Sequence, residues 1–287
     1  MRVDIESLGT FNKLAHEGAE AATTSLTQMT GIDATVDVTK ITLVNREDVG
    51  EDLEGREFAG VQFGFEGALE GRTVLVFDAE SVETITQALM PGADASMAES
   101  GVKEIGNIMM SGFIDGWADY LEATIDHSPP EYIERSGSAV IPEAPADADY
   151  DQAFVFKSAI EWVGESVNFY IYMLPEYDPL AGLMAEHADD RNDAIPIDKL
   201  ETFNRMTTQG TEKAADNVEM MTGIPTEAEV TRISFAAIED VPKQIGAETY
   251  VGTVVEFTGV PSGFLMVLFD EESAINVAEA LMPTDTS

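Results

Sequence analysis

The stretch ESGVKEIGNIMMSGFIDGWADY, from Glu99 to Tyr120, decides the fold because it combines an apolar helical repeat with a narrow polar stripe. At about 100° per residue, the four polar positions of this stripe fall within roughly 60° of one another. The stripe consists of Ser100, Glu104, Asn107 and Ser111. The opposite side is predicted to face a core, and it carries Val102, Ile105, Met109, Phe113 and Tyr120. We therefore predict one helix over about residues 97–125, begun by a capping box of Ser96 and Glu99.

The chain of 287 residues is strongly acidic, with 54 Asp and Glu against 15 Lys and Arg and a net charge of −39. This charge excludes nucleic-acid binding, which needs clustered Lys and Arg, and it disfavours docking on an anionic membrane. The acids are spread along the chain, which suits a halophilic cytoplasm where salt screens self-repulsion. Because no stretch reaches the ~20 apolar residues of a membrane span and the start has no apolar run, we predict a soluble cytoplasmic protein.

The chain contains no cysteine, so disulfides, thiol catalysis and zinc–cysteine sites are excluded. The three histidines, His16, His127 and His187, are isolated in the sequence. No other ligands are spaced suggestively around them, so the sequence predicts neither a metal site nor a cofactor in this chain.

The chain also repeats its own beginning without a gap. The segment LGTFNKLAHEGAEAATTSLTQMTGI from Leu8 matches LETFNRMTTQGTEKAADNVEMMTGI from Leu200, 192 positions later. Such constant spacing indicates a duplicated module. We predict one unit over residues 1–190, made of half-modules 1–91 and 92–190, and a second copy of the first half-module over 193–287. Either the gene carries one and a half units, or the chain is cut short after the second copy.

Each half-module is predicted to combine helices with antiparallel strands, which gives an α+β fold. In the first half-module the predicted elements are a helix at 7–30, a strand at 34–44, a hairpin of strands at 58–66 and 72–77, and a helix at 80–90. In the second, two strands follow the long helix at 153–162 and 166–174, and loops are predicted at 136–151 and 175–195.

The pair E-x-x-N occurs three times, as Glu104/Asn107, Glu165/Asn168 and Glu201/Asn204. The second pair falls in a predicted strand, where residues three apart point to opposite faces. The third lies near the start of a helix, so its geometry leaves it open. Only the first belongs to a longer pattern, S-x3-E-x2-N-x22-P, which begins at Ser100 and ends at Pro130. Taken alone, such a stripe is more often the solvent-exposed face of an amphipathic helix.

The longer pattern resembles the active-site signature of the CheC family of chemotaxis phosphatases, which includes CheX and the CheC-like domain of the flagellar switch. The core EIGNIM from Glu104 and the small-residue run GAEAATTSLTQMTGI from Gly18 are similar to the family as well. The resemblance covers residues 1–190 as a whole unit and 193–287 as half of another. It implies an antiparallel sheet with two long helices related by a pseudo-two-fold.

The resemblance also implies an activity, the removal of phosphate from the aspartyl phosphate of a CheY-like response regulator. Glu104 would engage the regulator's active-site lysine, Asn107 would orient the attacking water, and Ser100 and Pro130 would belong to the supporting motif. The regulator would bring its own Mg²⁺. Because the substrate is a whole protein, we expect Glu104 and Asn107 on an accessible, fairly flat surface.

The sequence departs from the family on the first helix, where members often carry a second signature. The equivalent positions are Lys13 and His16 in the first copy, and Arg205 and Thr208 in the second, so neither copy has Glu and Asn there. We therefore expect one active site, on the middle helix. Glu201/Asn204, about one turn too early, is kept as a second candidate.

Two alternatives to the phosphatase remain open on the sequence. One is a non-catalytic adaptor of the same fold, which binds the receptor deamidase CheD or a component of the flagellar switch. The loss of the signature on the first helix makes this adaptor more credible than it would be for a relative with two sites. The other is an unrelated α+β protein with an accidental pattern, which the repeat argues against.

Overall fold

The computed structural model describes residues 2–3, 5–79, 81–92, 97–143, 152–162, 167–187, 195–226, 232–236, 239, 241–245, 249–259 and 262–281. The chain divides into two compact units. The first consists of Met1–Phe203 and Arg232–Asp240, and the second of Asn204–Thr231 and Val241–Ser287.

The first unit contains two half-modules of similar order, each with a long helix, strands and a short helix. The first has β1 (Arg2–Val3), α1 (Ile5–Thr30), β2 (Ala34–Asn45), β3 (Glu57–Gly67), β4 (Gly71–Asp78) and α2 (Ser81–Leu89). The second has α3 (Ala98–Tyr120), β5 (Ile125–His127), β6 (Glu131–Ser136), β7 (Gln152–Trp162), β8 (Val167–Pro175) and α4 (Tyr177–His187). Two short strands follow, β9 (Ile195–Pro196) and β10 (Ile233–Phe235).

The main sheet of the first unit is antiparallel, with the strand order β10-β2-β7-β8-β4-β3-β5, and β6 also pairs with β3. From β2 to β6 this order is symmetric. Each strand of one half-module has its equivalent at the matching position counted from the other end: β2 corresponds to β6, β7 to β3, and β8 to β4. The pseudo-two-fold therefore lies between β4 and β8. In each half the first strand leaves its own hairpin and pairs with the other half's hairpin, β2 on β7 and β6 on β3. The predicted α+β fold is confirmed.

The core lies between one face of this sheet and the helices α1 and α3. Phe11 of α1 and Trp117 of α3 are both 1% exposed or less, and the Trp117 ring meets Phe156 of β7 edge-on at 5.4 Å. The two helices approach closely because small residues face each other. A Cβ added at Gly116 would lie 3.1 Å from the Cα of Gly18. Any larger residue at this contact would push α3 away from α1.

The other face of the sheet carries a smaller apolar cluster and a partly buried ion pair. Lys40 and Lys157 are direct partners in the β2–β7 ladder, an arrangement of like charges that is unfavourable by itself. Asp52 offsets it by pairing with the Nζ of Lys157. The same Nζ lies 4.3 Å from the ring centroid of Tyr170 and 5.0 Å from that of Tyr172, which completes a cation–π contact on this face.

The pKa of Asp52 reflects this surrounding. Burial raises the pKa, but the charge and hydrogen bond of Lys157, with the charges of Arg232 and Lys40, outweigh burial and leave the pKa below its ordinary value. Burial lowers the pKa of Lys157, and Asp52 only partly opposes that shift. The ionised form of Asp52 is therefore favoured in the folded protein.

The long helix is continuous but ends five residues earlier than predicted, at Tyr120 instead of residue 125. Glu122 adopts a left-handed conformation with φ 49°, and the Ala123 N–H donates to the carbonyl of Ala118 at 3.0 Å. This hydrogen bond is the six-to-one bond of a Schellman motif, which stops a helix. Tyr120, predicted to be buried, is 43% exposed because it lies at this end.

The start of α3 also differs from the prediction. Met97 occupies the N-cap and provides no side-chain hydrogen bond, while Ser96 lies outside the described residues. The Glu99 carboxylate accepts a hydrogen bond from the Lys103 Nζ at 2.7 Å. Glu99 is thus engaged along the helix surface with the residue four positions on.

The loop predicted over 175–195 is wrong in part, because α4 forms there at Tyr177–His187. The Pro and Asp that indicated a loop lie in the first turn of the helix, where Pro is tolerated. Leu180 and Met184, four residues apart, are 0% and 1% exposed. Burial of this apolar pair in the core stabilises the helix.

The second unit is built from the later part of α5 (Ile197–Thr222), the strands β11 (Tyr250–Phe257) and β12 (Gly263–Asp270), and α6 (Glu271–Leu281). The strands form a two-stranded antiparallel sheet. Gly263–Asp270 lies 192 positions after Gly71–Asp78, so β12 coincides with the repeat of β4. The boundary between the units falls inside α5, and β10 belongs to the first unit.

We predict that Gly106→Ala destabilises the protein by about 1–3 kcal/mol, because an added methyl group overpacks the contact between α3 and β3. The new Cβ would lie 2.7 Å from the Val61 Cβ and 2.8 Å from its Cγ1. The matched control is Gly9→Ala on α1, where no atom lies within 4 Å. We expect this control to gain up to ~1 kcal/mol from helix propensity. Urea unfolding measures both, and equal stability of Gly106→Ala and wild type would contradict the prediction.

We predict that Asp52→Asn lowers the free energy of unfolding at pH 7 by about 1–3 kcal/mol, since it leaves Lys157 without its counter-charge. Because the folded-state pKa of Asp52 is depressed, its contribution is present above about pH 4 and is lost as pH falls through the folded pKa. The variant should therefore show a flatter acid limb in urea unfolding between pH 2 and pH 7. Glu51→Gln, one residue away, is the control, and a wild-type acid limb in Asp52→Asn would refute the assignment.

Candidate functional site on the middle helix

The stripe predicted from the sequence lies on the outer side of α3, as one continuous helix requires. Ser100 and Glu104 are exposed, and Asn107 and Ser111 are partly exposed. On the other side of α3, the buried residues include Val102, Ile105, Met109, Phe113 and Trp117. The carboxylate of Glu104 and the carboxamide of Asn107 are therefore one helical turn apart and reachable from solvent.

The helix segment that carries the pair is seated directly on the sheet. Gly106, between Glu104 and Asn107, approaches Val61 of β3 so closely that even a Cβ does not fit. One turn later, Met110 is fully buried. Its sulfur lies 3.9 Å from the Thr73 hydroxyl, which donates to the Tyr172 carbonyl at 2.9 Å. A helix fixed in this way holds its outward side chains in a defined position relative to the sheet.

The polar groups of Glu104 and Asn107 lie on the solvent side of α3. In the part of the chain that the structure describes, neither the Glu104 carboxylate nor the Asn107 carboxamide has a hydrogen bond or an ion pair. The backbone carbonyl of Asn107, and not its side chain, accepts a hydrogen bond from the Ser111 Oγ at 2.8 Å. Both polar groups are free to meet a partner without first breaking an internal contact.

The topology brings His127 to the C-terminal end of the stripe. Its Nε2 lies 3.4 Å from the Ser111 Oγ, its Nδ1 lies 3.1 Å from the Ser128 carbonyl oxygen, and its ring meets Phe63 edge-on at 5.9 Å. No sequence pattern predicts this contact, because His127 is isolated in the sequence. It follows from the pairing of β5 with β3, which places His127 opposite Phe65.

Pro130 lies between β5 and β6, two segments that pair with the same strand. β5 pairs with Phe65–Gly67 of β3, and β6 with Glu57–Gln62. Proline has no N–H to donate to a ladder, so a proline here interrupts the strand between its two segments. Ser128 bridges the gap, because its N–H donates to the Gly64 carbonyl and its Oγ accepts from the Gly64 N–H, both at 2.9 Å.

The second candidate pair, Glu201 and Asn204, lies on α5. Asn204 is 4% exposed, and its Oδ1 is buried without a hydrogen bond. Its repeat equivalent, Asn12, is 7% exposed and has the same buried Oδ1. The position equivalent to Glu201 is Gly9. The two copies thus share a buried asparagine rather than a Glu–Asn pair, and a carboxamide buried in this way is not presented to a protein-sized substrate.

Among the described residues, no group of three or more Asp, Glu or His side chains is arranged to hold a metal ion. In the same part of the chain, no helix has the length and apolar character that crossing a membrane requires. Two surface cavities lie apart from the stripe. One is bordered by Gln62, Arg72 and Glu131, the other by Lys40, Lys157 and Arg232.

Comparison with known proteins identifies the family. Residues 97–134 match the profile of the CheC-like family, and this segment contains the whole pattern from Ser100 to Pro130. A protein of Halobacterium salinarum named "Putative CheY-P phosphatase CheC1" is 32% identical over 188 residues, which cover 63% of this chain and 96% of that protein. The chain belongs to the CheC-like family. The family resemblance drawn from the sequence is therefore confirmed, and the protein is a chemotaxis protein of the CheC type.

A solved structure shows that the fold is shared. FliY from Thermotoga maritima superposes on this CheC-like chain with a TM-score of 0.53 and 23% identity. The superposition covers 65% of this chain and 97% of FliY.

Proposed function

We propose that this CheC-like chain removes phosphate from the aspartyl phosphate of a CheY-like response regulator. The observation that carries the proposal is the pair of free polar side chains, Glu104 and Asn107, one turn apart on the outer side of α3. The name of the Halobacterium relative, "Putative CheY-P phosphatase CheC1", supports the same class of substrate.

The proposed hydrolysis requires few catalytic groups from this chain. An acyl phosphate is already activated, so positioning and electrostatics are what a phosphatase must supply. Water attacks the phosphorus, the bond to the aspartyl oxygen breaks, and the products are a free carboxylate and inorganic phosphate. The regulator supplies Mg²⁺, which neutralises charge on the phosphoryl oxygens.

The two side chains suit different tasks in this reaction. The Asn107 carboxamide has both a donor and an acceptor, so it can accept a hydrogen bond from the attacking water while its amide group donates to the phosphoryl group. The Glu104 carboxylate accepts hydrogen bonds only, which suits an ion pair with the lysine of the regulator's active site. The close packing of Gly106 on Val61 of β3 fixes the helix segment that carries both groups.

The surface around the pair suits a substrate of protein size. Neither Glu104 nor Asn107 borders the two cavities described above, and both lie along the outer face of a helix. A side chain that projects from a helix can enter the active site of another protein, where the phosphoryl group lies. This arrangement suits a substrate whose reacting bond lies in the active site of another protein.

An adaptor function is the second candidate, and the first helix favours it. Lys13 is paired with Glu17 at 3.5 Å, and His16 lies 3.5 Å from Glu20 and 3.4 Å from Thr39. These residues occupy the positions where a second Glu and Asn would stand. In this alternative the chain holds CheD or a switch component, and the pair on α3 has no catalytic effect.

The proposal is tested by the decay of the phosphorylated cognate regulator in the presence of the purified chain. We expect wild type to accelerate the loss of phosphate and Asn107→Ala to reduce the acceleration by about 10²-fold, since one water is no longer aligned. The matched control is Asp119→Ala, which is exposed on the same helix, twelve residues after Asn107 and about 120° around the helix from it. It should retain the wild-type rate.

The outcomes separate the two candidates. If Asn107→Ala and wild type accelerate decay equally, another group performs the reaction. If neither accelerates decay although the regulator, CheD or a switch component binds, the adaptor function is correct. Circular dichroism of the variants excludes loss of the fold as the cause of lost activity.

A further inference from the structure

The hairpin of β11 and β12 exposes apolar side chains on both of its faces. Along the two strands, large apolar residues are 38–68% exposed, namely Val251, Val254, Val255, Phe257, Phe264, Leu265, Met266, Val267 and Leu268. Between Tyr250 and Asp270 only Glu256 and Asp270 are charged, in a chain where charged residues make up 24%. A contiguous apolar surface of this kind marks an interaction site.

The first copy of the same hairpin is buried. Leu75 and Val76 of β4 are 0% exposed, whereas their repeat equivalents in β12, Val267 and Leu268, are 44% and 38% exposed. Phe63 of β3 is 2% exposed, and its equivalent Val255 is 56% exposed. The second copy has thus kept apolar residues at positions whose burial requires a partner.

The first unit shows what that partner looks like. There the edge of β4 that does not pair with β3 pairs with β8 of the other half-module. β3 in turn pairs with β6 of that half. In the described part of the second unit, β12 pairs with β11 alone. Among the described residues, no strand pairs with the edge of β12 that is equivalent to the β4–β8 junction, and such an edge is a template for another chain.

The half-module of the complementary type, residues 92–190, already pairs with the first copy. The symmetry of the fold allows an identical copy to take its place, because the β4–β8 junction lies on a pseudo-two-fold. A second contact shows that repeat equivalents do pair with each other. In the β10–β2 ladder, Ser234 lies opposite Thr42, its own equivalent 192 positions earlier.

We propose that the β11–β12 hairpin is a dimerisation surface whose partner is the same hairpin of a second copy of this chain. The two β12 strands pair antiparallel about a two-fold axis and give a four-stranded sheet, β11-β12-β12-β11, which is the counterpart of β3-β4-β8-β7. Such an interface is isologous and closed, so assembly stops at the dimer. The low charge of the hairpin lets two chains of net charge −39 approach each other there.

The proposal is tested by sedimentation velocity on the full-length chain over a range of protein concentrations at fixed high salt. We expect a species of twice the chain mass of 31.0 kDa. Val267→Asp places a charge on the strand at the junction and should shift the protein to monomer. Val241→Asp is the matched control, because Val241 is equally exposed, at 43% against 44%, but lies outside the hairpin. This control should remain dimeric.

Cross-linking gives a second measurement that does not depend on a destabilising variant. Since the chain has no cysteine, Val267→Cys introduces a single thiol, and a short bismaleimide should link two chains through it. Val241→Cys should give little linked product.

A chain that is monomeric at every concentration would overturn the proposal and assign the hairpin to a different protein. A dimer that Val267→Asp leaves intact, or a polydisperse aggregate, would overturn it as well. Unchanged circular dichroism of Val267→Asp shows that loss of the dimer is not loss of the fold.

Discussion

Strand exchange between the two half-modules is the constraint on which the first unit depends. β2 pairs with the hairpin of the second half, and β6 with the hairpin of the first, while β4 and β8 join the two hairpins in the middle. Because each half lends a strand to the other, neither can complete its sheet alone. The long helices α1 and α3 then cover one face of a single sheet and share one core.

This arrangement explains why the candidate site is on α3. The helix is tied down by Gly106 on β3 and by the close contact of Gly116 with Gly18 on α1. These contacts fix the buried side of α3 against the first half-module. On its outer side, the Glu104 carboxylate and the Asn107 carboxamide make no hydrogen bond or ion pair with the described residues. A reaction that needs only the positioning of a water and a partner's lysine can be supported by such a helix.

The same constraint makes the second copy of the first half-module conspicuous. It has the hairpin and both helices of the first copy, and its apolar residues match positions that are fully buried there. Within the described part of the chain, no strand other than β11 pairs with β12. A two-stranded hairpin gains stability when further strands or helices cover it, and the proposed second copy would supply such strands.

The sequence by itself determined the α+β class, the repeat, the polar stripe of α3 and the family, because these follow from periodicity and from the spacing of Ser100, Glu104, Asn107 and Pro130. The end of α3 was misplaced at residue 125, because Glu122 stops the helix through a left-handed conformation. The helix α4 was missed, because it is stabilised by burial of Leu180 and Met184. Only the tertiary structure decided the strand exchange, the position of His127 beside Ser111 and the burial of Asn204. These depend on contacts between residues far apart in sequence, for which local patterns carry no information.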